Sequence, residues 1–426
     1  MQVQLAYGRH GVTVEVPDRA EVVLPIDAPA LADEAGAVGA ALRTPSSGPP
    51  LREVVRAVVG GGRGRVAVVF PDLTRPMPNR TVLPPLLAEL ERCGVPDDRI
   101  TLLCATGTHR QATPDEMAEL IGPELVARHT VVDHDAGCEH DHVLVGEVDG
   151  TPILLQREYV EADVRIVTGF VEPHFFAGFS GGPKAVCPGL AAMQTILEAH
   201  HPRRIADPRA TFVTRAGNPV HDFVRAATAL AEPHFSVDVA INRARRVTAV
   251  FAGPLTATHD AACAHVEAAA VRAVDEPFDL VVSTNGGHPL DRNLYQAVKG
   301  MAAAERILRD RGVVVMAAAC EDGVPVGGAF ARLLSEAETP DDLIGATGGP
   351  ELDRWQAQVL GRVVERAEVH LYSEGLSEDA IRDAQLQPVH DLGRAVTAAL
   401  ARLGPTARVG VLPEGPLTVA TVRGRG

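Results

Sequence analysis

The stretch VRIVTGFVEPHFFAGFSGGPK (residues 164–184) joins an apolar segment to a glycine-rich one. Val164–Gly169 is rich in β-branched apolar residues, which predicts a buried strand. The segment that follows, Glu172–Lys184, places His174 ten residues before Lys184, with three glycines between them. Glycine has no Cβ, so the backbone there can come close to a bound group. Because the binding loops of open α/β folds follow the carboxyl ends of strands, the stretch predicts an α/β protein with a ligand site here.

Two well-known glycine motifs do not fit Glu172–Lys184. A Walker A loop needs a glycine directly before its lysine and a hydroxyl residue directly after it, but Pro183 and Ala185 occupy those positions. A dinucleotide-binding fingerprint needs the spacing G-x-G-x-x-G, which the three glycines do not provide. The segment is therefore either a loop of another type that could bind a phosphate, or a tight strand-to-helix turn whose lysine is exposed to solvent.

The overall composition limits the class of protein. A chain of 426 residues predicts two domains, and a hydrophobic content of 46% is typical of a globular protein. The formal net charge of −15 argues against nucleic acid or an anionic membrane as the main partner. The six cysteines form no C-x-x-C pair, the first residues do not resemble a signal peptide, and no apolar run reaches the length of a membrane span. We therefore expect a cytoplasmic protein.

Strand and helix patterns alternate along the chain, which predicts two α/β domains with mainly parallel sheets and an active site in the cleft between them. Residues 1–275 form the first predicted domain and residues 276–405 the second, because Asp275–Pro277 interrupts the pattern. A long Ala-rich helix is predicted just before that point, over Ala257–Val274. Residues 406–426 have strand character, and we expect them to pack back onto the first domain.

Polar residues gather at the ends of four predicted strands. Each polar segment directly follows an apolar run, and the segments are Pro71–Pro76, Ala105–Arg110, Glu172–Lys184 and Asn285–Leu290. The carboxyl ends of parallel strands lie along one edge of a sheet, which is where α/β proteins bind ligands. Together the four segments predict a shared site, although any one of them is also compatible with an ordinary turn.

His109 and His174 are the candidate acid–base residues, because they lie on two of these segments. Histidine suits proton transfer near neutral pH, and inverting a stereocentre needs an acid or base on each face of one carbon. Arg75 follows Asp72 by three residues. Its guanidinium could hold a carboxylate or phosphate through two hydrogen bonds, and Asp72 could orient a histidine or bind ribose hydroxyls. Two turn histidines and a local Asp–Arg pair remain the alternatives.

Two predicted helices contribute further candidates. The first covers Leu190–His200, and His200 at its end is either a metal-binding imidazole or a group that stabilises the helix dipole. In the second domain, Gln296 and Lys299 share one face of a helix because they are three residues apart. The N-terminus of a helix favours an anion. These two side chains could therefore hold a substrate carboxylate, or they could form an ordinary surface pair.

Taken together, the motifs resemble the nickel-pincer-dependent lactate racemase family over about residues 10–420. The residues that carry the resemblance are Asp72–Pro76, Gly107–Arg110, Glu172–Lys184, His200, Asn218–His221, Pro289–Gly300 and Trp355–Gln358. The resemblance implies a racemase or epimerase of a 2-hydroxy acid, either lactate or a related one. It also implies a cofactor, pyridinium-3,5-bisthiocarboxylic acid mononucleotide, which holds nickel and is linked covalently to Lys184.

The resemblance further implies a role for each site residue. Four consecutive residues contact the cofactor: Asp72, Leu73, Thr74 and Arg75. Lys184 is the covalent anchor, His200 binds the nickel, and His109 and His174 are the catalytic bases. Three residues bind the substrate carboxylate: Arg75, Gln296 and Lys299. In the implied reaction a histidine takes the hydroxyl proton and the cofactor takes the Cα hydride, which avoids a carbanion beside a carboxylate.

The chain departs from the family pattern at His288, where the lactate enzymes carry tyrosine, and we expect His288 to line the substrate pocket. The implied partners are the small-molecule substrate and, transiently, the enzymes that synthesise the cofactor. Two rival hypotheses stay open. A nucleotide-binding phosphotransferase would use the glycine-rich loop, although a hydroxyl after Lys184 is missing. A non-enzymatic protein that binds 2-hydroxy acids or nucleotides would keep its ligand when the histidines are removed.

Overall fold

A computed structural model of the chain describes residues 1–60, 64–345 and 349–424. Its strands are β1 Gln2–Leu5, β2 Val12–Glu15, β3 Glu21–Val22, β4 Val66–Pro71, β5 Ile100–Ala105, β6 Thr130–Asp133, β7 His142–Val148, β8 Thr151–Gln156, β9 Val164–Phe170, β10 Pro173–His174, β11 Gly178–Phe179, β12 Phe235–Ile241, β13 Val247–Gly253, β14 Val271–Val274, β15 Phe278–Thr284, β16 Leu308–Ala317, β17 Ala367–Tyr372, β18 Gln387–Val389, β19 Val409–Leu412 and β20 Val419–Val422. Its α-helices are α1 Glu34–Arg43, α2 Leu51–Val59, α3 Asn79–Arg92, α4 Pro114–Ile121, α5 Pro123–Arg128, α6 Arg157–Val160, α7 Met193–Ala199, α8 Pro202–Ile205, α9 Pro219–Ala229, α10 Leu255–Ala270, α11 Leu294–Glu305, α12 Ala329–Glu336, α13 Pro340–Ile344, α14 Arg354–Arg366, α15 Glu378–Asp383 and α16 Leu392–Leu403.

The first large sheet has the strand order β13-β12-β9-β4-β5-β6. All of its neighbouring strands are parallel except β12 and β13, which are antiparallel. Alternate residues of β4 enter two different cores, with Val66 and Val68 on the face that packs against α3 and Val69 on the opposite face. Both faces of the central strands are therefore buried, which explains their continuous apolar sequence.

The second large sheet has the order β18-β17-β16-β15-β19-β3, and all of its neighbouring strands are parallel. Val281 of β15 packs in the core that contains α11 and α14, whereas Leu280 and Val282 pack in the core that contains α16. The predicted class, α/β with mainly parallel sheets, is confirmed. Within the described residues, no helix has the length and apolar character needed to cross a bilayer.

The two ends of the chain differ from our expectation. The N-terminal hairpin of β1 and β2 packs on the second sheet, where Leu5 and Val14 join the core of Leu280 and Val282. β3 forms an edge of that same sheet, and β19 from the C-terminal tail lies between β15 and β3. Within the tail, β19 lies in the second sheet with its four residues buried, whereas β20 pairs with β14, which lies within residues 1–275. A domain boundary near residue 275 stays a prediction.

The helix predicted over Ala257–Val274 is shorter in the structure. α10 ends at Ala270, and the next four residues form β14, which pairs in parallel with β20. Val271 and Val274 are β-branched and favour an extended backbone. The strand partner comes from a segment about 150 residues further along the chain, so the local helical pattern could not reveal it.

Candidate active site

A cavity that is partly open to solvent lies at the carboxyl ends of β4, β5 and β9. α11 and the start of α14 form its other wall, so both large sheets contribute to it. The predicted site residues that line it are Asp72, Arg75, His109, His174, Lys184, His200, Gln296 and Lys299. Leu73 and Thr74 do not belong to this lining. The structure thus brings eight of the ten predicted residues to one place.

His109 is held by a carboxylate. Its Nδ1 lies 2.9 Å from Asp72 Oδ2 and 3.2 Å from Thr74 Oγ1, which itself donates to Asp72 Oδ1 at 3.0 Å. Burial raises the pKa of Asp72, but His109, Arg75 and Thr74 together outweigh burial and lower that pKa below its ordinary value. The ionised carboxylate accepts from Nδ1–H of His109, which leaves Nε2 of this ring as a proton acceptor.

His174 has the opposite hydrogen bonding. Its Nδ1 accepts from the backbone N–H of Ala177 at 3.2 Å, so the neutral ring carries its proton on Nε2. The ring packs against Phe175 and Phe176, with centroid distances of 4.9 and 4.6 Å. Burial, followed by the positive charges of nearby lysine and arginine side chains, lowers the pKa of His174 well below its ordinary value. The structure therefore favours a neutral His174 that donates through Nε2.

The glycine-rich loop brings Lys184 into the same cavity. Gly181 and Gly182 adopt left-handed backbone conformations with φ of 73° and 51°. A Cβ on Gly182 would lie 2.4 Å from the ring of His259, so the loop packs where a side chain would clash. Burial, followed by neighbouring positive charges, lowers the pKa of the Lys184 amine well below its ordinary value. A lower pKa increases the fraction of the amine that is neutral, and the neutral form is the nucleophile.

Two residues that sequence analysis missed hold this loop in place. Asp238 Oδ1 accepts from the Gly182 N–H at 3.1 Å, and His259 Nε2 donates to the Ser180 carbonyl at 2.9 Å. Both side chains are almost completely buried. The sequence did contain one signal, an aspartate inside the apolar strand FSVDVAI (β12), because a buried carboxylate requires a hydrogen-bonding partner.

His200 directly follows α7 and presents one ring nitrogen as a possible ligand. Its Nδ1 donates to the Ile196 carbonyl at 2.8 Å, which leaves Nε2 with a lone pair. Burial lowers the pKa of His200 to about 4, so the ring stays neutral, as a metal-binding imidazole must be. In the part of the chain that the structure describes, no three His, Cys, Asp or Glu side chains gather to hold a metal. The described residues therefore form no multidentate metal site here, and His200 could act only as a single ligand.

α11 supplies hydrogen-bond donors to one side of the cavity. Asn293 caps this helix, because its side chain accepts from the Gln296 N–H at 3.0 Å. Gln296 and Lys299 follow on the first two turns and face Arg75 across the cavity. Burial, followed by the charge of Arg75, lowers the pKa of Lys299 to about 7 against the opposing effect of nearby carboxylates. Together these three side chains provide enough donors to bind one carboxylate.

His288 does not line this cavity, contrary to our expectation. Its Nε2 lies 2.9 Å from Arg9 Nη2, and its carbonyl accepts from Arg245 at 2.5 Å. His288 is held next to the N-terminal hairpin instead, because its backbone N–H donates to a carbonyl of that hairpin's turn. Tyr295 and Trp355 line the cavity instead, and Trp355 Nε1 donates to the Tyr295 hydroxyl at 2.7 Å.

These features define a class of protein. Two α/β halves enclose one cavity that contains the Lys184 amine, three imidazoles (His109, His174 and His200) and a group of hydrogen-bond donors that could bind a carboxylate. This arrangement is typical of an enzyme that uses acid–base side chains.

Comparisons with known proteins identify the family. The model of the lactate racemase N-terminal domain matches residues 7–212, and the model of the lactate racemase C-terminal domain matches residues 273–420. The lactate racemase of Thermoanaerobacterium thermosaccharolyticum is 33% identical over 424 residues, which is 97% of each chain. That of Lactiplantibacillus plantarum is 34% identical over 381 residues, which is 88% of each chain. The chain therefore belongs to the lactate racemase family and is an isomerase.

Two solved structures share the fold. The lactate racemase apoprotein from Thermoanaerobacterium thermosaccharolyticum has a TM-score of 0.90 at 31% identity, and the match covers 99% of this chain and 100% of that one. A Thermotoga maritima protein has a TM-score of 0.70 at 18% identity, covers 94% of this chain and 100% of its own, and supports the fold alone. The resemblance found in the sequence is confirmed over nearly the whole chain.

Proposed function

We propose that this racemase interconverts the stereoisomers of a 2-hydroxy acid, lactate or a related one. The observation that carries the proposal is the meeting of Lys184, His109 and His174 in one cavity beside a carboxylate-binding group. A stereocentre at Cα is inverted only if groups can act on both of its faces, and two imidazoles on separate loops provide such groups. The printed name of the two relatives, lactate racemase, supports the same reaction class.

We propose further that a nickel-pincer nucleotide, pyridinium-3,5-bisthiocarboxylic acid mononucleotide, is linked covalently to Lys184. The residues present fit such a group. Lys184 offers a neutral amine for the covalent bond, and His200 offers Nε2 as a nickel ligand. Asp72 and Arg75 line the wall that the nucleotide would contact, while Thr74 supports Asp72 from behind. When bound, the group would supply an electron-poor ring that accepts a hydride beside the nickel.

The side chains of the protein would perform the remaining steps. Arg75, Gln296 and Lys299 bind the substrate carboxylate and fix its orientation through charge-assisted hydrogen bonds. His109 accepts the hydroxyl proton at Nε2, and His174 presents Nε2–H to the oxygen on the other side. Loss of the hydroxyl proton to His109 and of the Cα hydride would give a planar 2-oxo acid. Return of the hydride to the opposite face of the carbon, and of a proton to the oxygen, would give the other stereoisomer.

Transient contact with the enzymes that synthesise and attach the cofactor follows from a covalent link at Lys184, and it is part of this proposal. We also propose a cytoplasmic setting. All six cysteines lie within the described residues and are free thiols there, which supports a reducing compartment.

A panel of chiral 2-hydroxy acids tests the proposed reaction. The enzyme would be produced together with the cofactor-synthesis enzymes and incubated with each acid in heavy water. We expect racemisation of at least one acid, measured by chiral chromatography, without solvent deuterium at Cα, because the same hydride returns to the carbon. Deuterium at Cα in the product would show deprotonation of the carbon and would overturn the hydride mechanism.

A further inference from the structure

We infer that one face of α14 positions His200 for metal binding, through side chains that do not touch the metal. The inference rests on the proposed function, which assigns the nickel to His200. Three residues of α14 form this face: Trp355, Gln358 and Arg362. They stand three and four residues apart, so their side chains lie along one side of the helix. α14 belongs to the second-sheet half of the molecule, whereas His200 belongs to the first.

The three side chains contact consecutive parts of the segment that begins at His200. The Trp355 ring lies 4.5 Å from the His200 ring, measured between centroids. Gln358 Nε2 donates to the carbonyl of the first residue of α8 at 3.1 Å, and Arg362 Nη1 donates to the carbonyl of its last residue at 3.0 Å. Successive residues of α14 therefore contact successive residues of the segment. The helix supports the segment from His200 to the end of α8.

A glutamine at position 358 would be unfavourable for stability if its side chain only filled space in the core. It is 1% exposed, and its Oε1 finds no hydrogen-bond partner in the described parts of the chain. A buried polar atom without a partner destabilises the fold, and methionine, which has a similar length, would avoid that penalty. What the amide provides here is one directed hydrogen bond to α8. The burial of this amide is explained if the protein requires α8, and His200 before it, to keep a fixed position.

His200 needs such support because the proposed function assigns the nickel to it, while the other two imidazoles of the cavity, those of His109 and His174, act on the substrate. Its ring is fixed on one side by the hydrogen bond from Nδ1 to the Ile196 carbonyl and on the other by the Trp355 ring. α8 has only four residues, and a helix of one turn is marginally stable by itself. Without the two donors from α14, the segment would shift and Nε2 would lose its direction toward the metal.

The test measures nickel retention in the holoenzyme separately from covalent attachment. Gln358→Met and Arg362→Met would each be produced with the cofactor-synthesis enzymes. We expect the fraction of Lys184 that carries the adduct, measured by mass spectrometry of the denatured protein, to stay at the wild-type value. We expect nickel to leave about 10-fold faster or more when EDTA is added, because residues that support a metal ligand typically change metal affinity by this much.

Arg366→Met is the matched control. Arg366 lies one turn further along α14 and pairs with Glu305 and Asp310 rather than with α8, so its loss should leave nickel release unchanged. Arg362→Lys, which keeps a donor, should restore part of the retention. Because Arg362 is only half-buried, its variants serve if Gln358→Met does not fold.

Two outcomes separate the inference from the proposed function. Nickel release in both methionine variants at the rate of wild type and Arg366→Met, with the adduct intact, would overturn the role of α14 and leave the racemase proposal standing. A wild-type enzyme without any adduct on Lys184 would overturn the proposed cofactor, and the inference would fall with it.

Discussion

His109 and His174 lie in the same cavity, yet the protein holds them in opposite ways. Nδ1 of His109 contacts the Asp72 carboxylate at 2.9 Å, whereas Nδ1 of His174 accepts a backbone N–H, that of Ala177, at 3.2 Å. The side chain of His109 is 28% exposed, and His174 is 8% exposed. The two rings therefore present different groups at Nε2, a lone pair on His109 and an N–H on His174.

The difference shows that two identical side chains need not be interchangeable. In the proposed reaction the proton leaves the substrate hydroxyl and not the carbon, so His109 would accept that proton at Nε2 while Nε2–H of His174 would donate a hydrogen bond to the oxygen. The partner at Nδ1 assigns these roles, a carboxylate in one case and a backbone amide in the other.

Removing either imidazole ring should have the largest effect on the reaction. We expect His109→Ala and His174→Ala each to lower kcat by roughly 10²–10⁴-fold, the usual range for acid–base residues. Chiral chromatography measures the loss, and mass spectrometry of the Lys184 peptide confirms that each variant has received the cofactor. A loaded variant that racemises at the wild-type rate would remove that histidine from the mechanism, and ligand binding without turnover in wild type would favour a binding protein.

Asp72→Asn keeps the size of the side chain but replaces an accepting oxygen with an N–H group. We expect His109 to lose its Nδ1–H tautomer and kcat to fall by about 10²-fold, with KM nearly unchanged. NMR of the apo protein with ¹⁵N-labelled histidine reports both tautomers directly, and His174 should keep its Nε2–H in the variant. Wild-type spectra in which the two histidines share one tautomer would contradict the comparison.

The pH dependence of carboxylate binding tests the charge state of Lys299, one of the groups whose positive charge lowers the pKa of His174. The pKa of Lys299 is about 7, so its ammonium is present below that pH and is lost above it. We expect the Kd of propionate for the apo protein, measured by calorimetry, to rise by up to about 10-fold for each pH unit above 7. Lys299→Arg should remove this dependence, since arginine stays charged. A wild-type Kd that is constant between about pH 6 and 8 would refute the assignment.

Thr74→Val should have the smallest effect. The Thr74 hydroxyl lies 3.2 Å from His109 Nδ1 and donates to Asp72, so its loss removes about 1 kcal/mol of support. We expect kcat to fall about 5-fold, while the His109 tautomer stays unchanged because the carboxylate remains. The same chiral assay and NMR spectrum measure both. A loss as large as that of Asp72→Asn would mean that the hydroxyl, and not the carboxylate, holds the ring.

The strands that carry the site could be predicted from the sequence. β4, β5, β9 and β15 coincide with apolar runs, and the polar segments that follow them depend on local composition alone. The parallel arrangement then brings these segments toward one edge. This is why eight predicted residues meet in one cavity although they are spread over more than 200 positions.

The contacts that hold those residues in position could not be predicted from the sequence in the same way. Asp72 and His109 are 37 residues apart, and they meet only because β4 and β5 are neighbours in the sheet. The contacts of α14 with α8 join segments that are more than 150 residues apart. The hairpin of β1 and β2 could have covered either sheet, since its short apolar pattern suits both. Such pairings depend on tertiary packing, which local patterns do not encode.

The central claim is that Lys184 carries a covalent cofactor in the cavity that contains both imidazoles. Mass spectrometry of the peptide that contains Lys184, from protein produced together with the cofactor-synthesis enzymes, tests it most directly. We predict an adduct on Lys184 and bound nickel in the native enzyme. An unmodified Lys184 in a preparation that racemises a 2-hydroxy acid at full rate would contradict the claim.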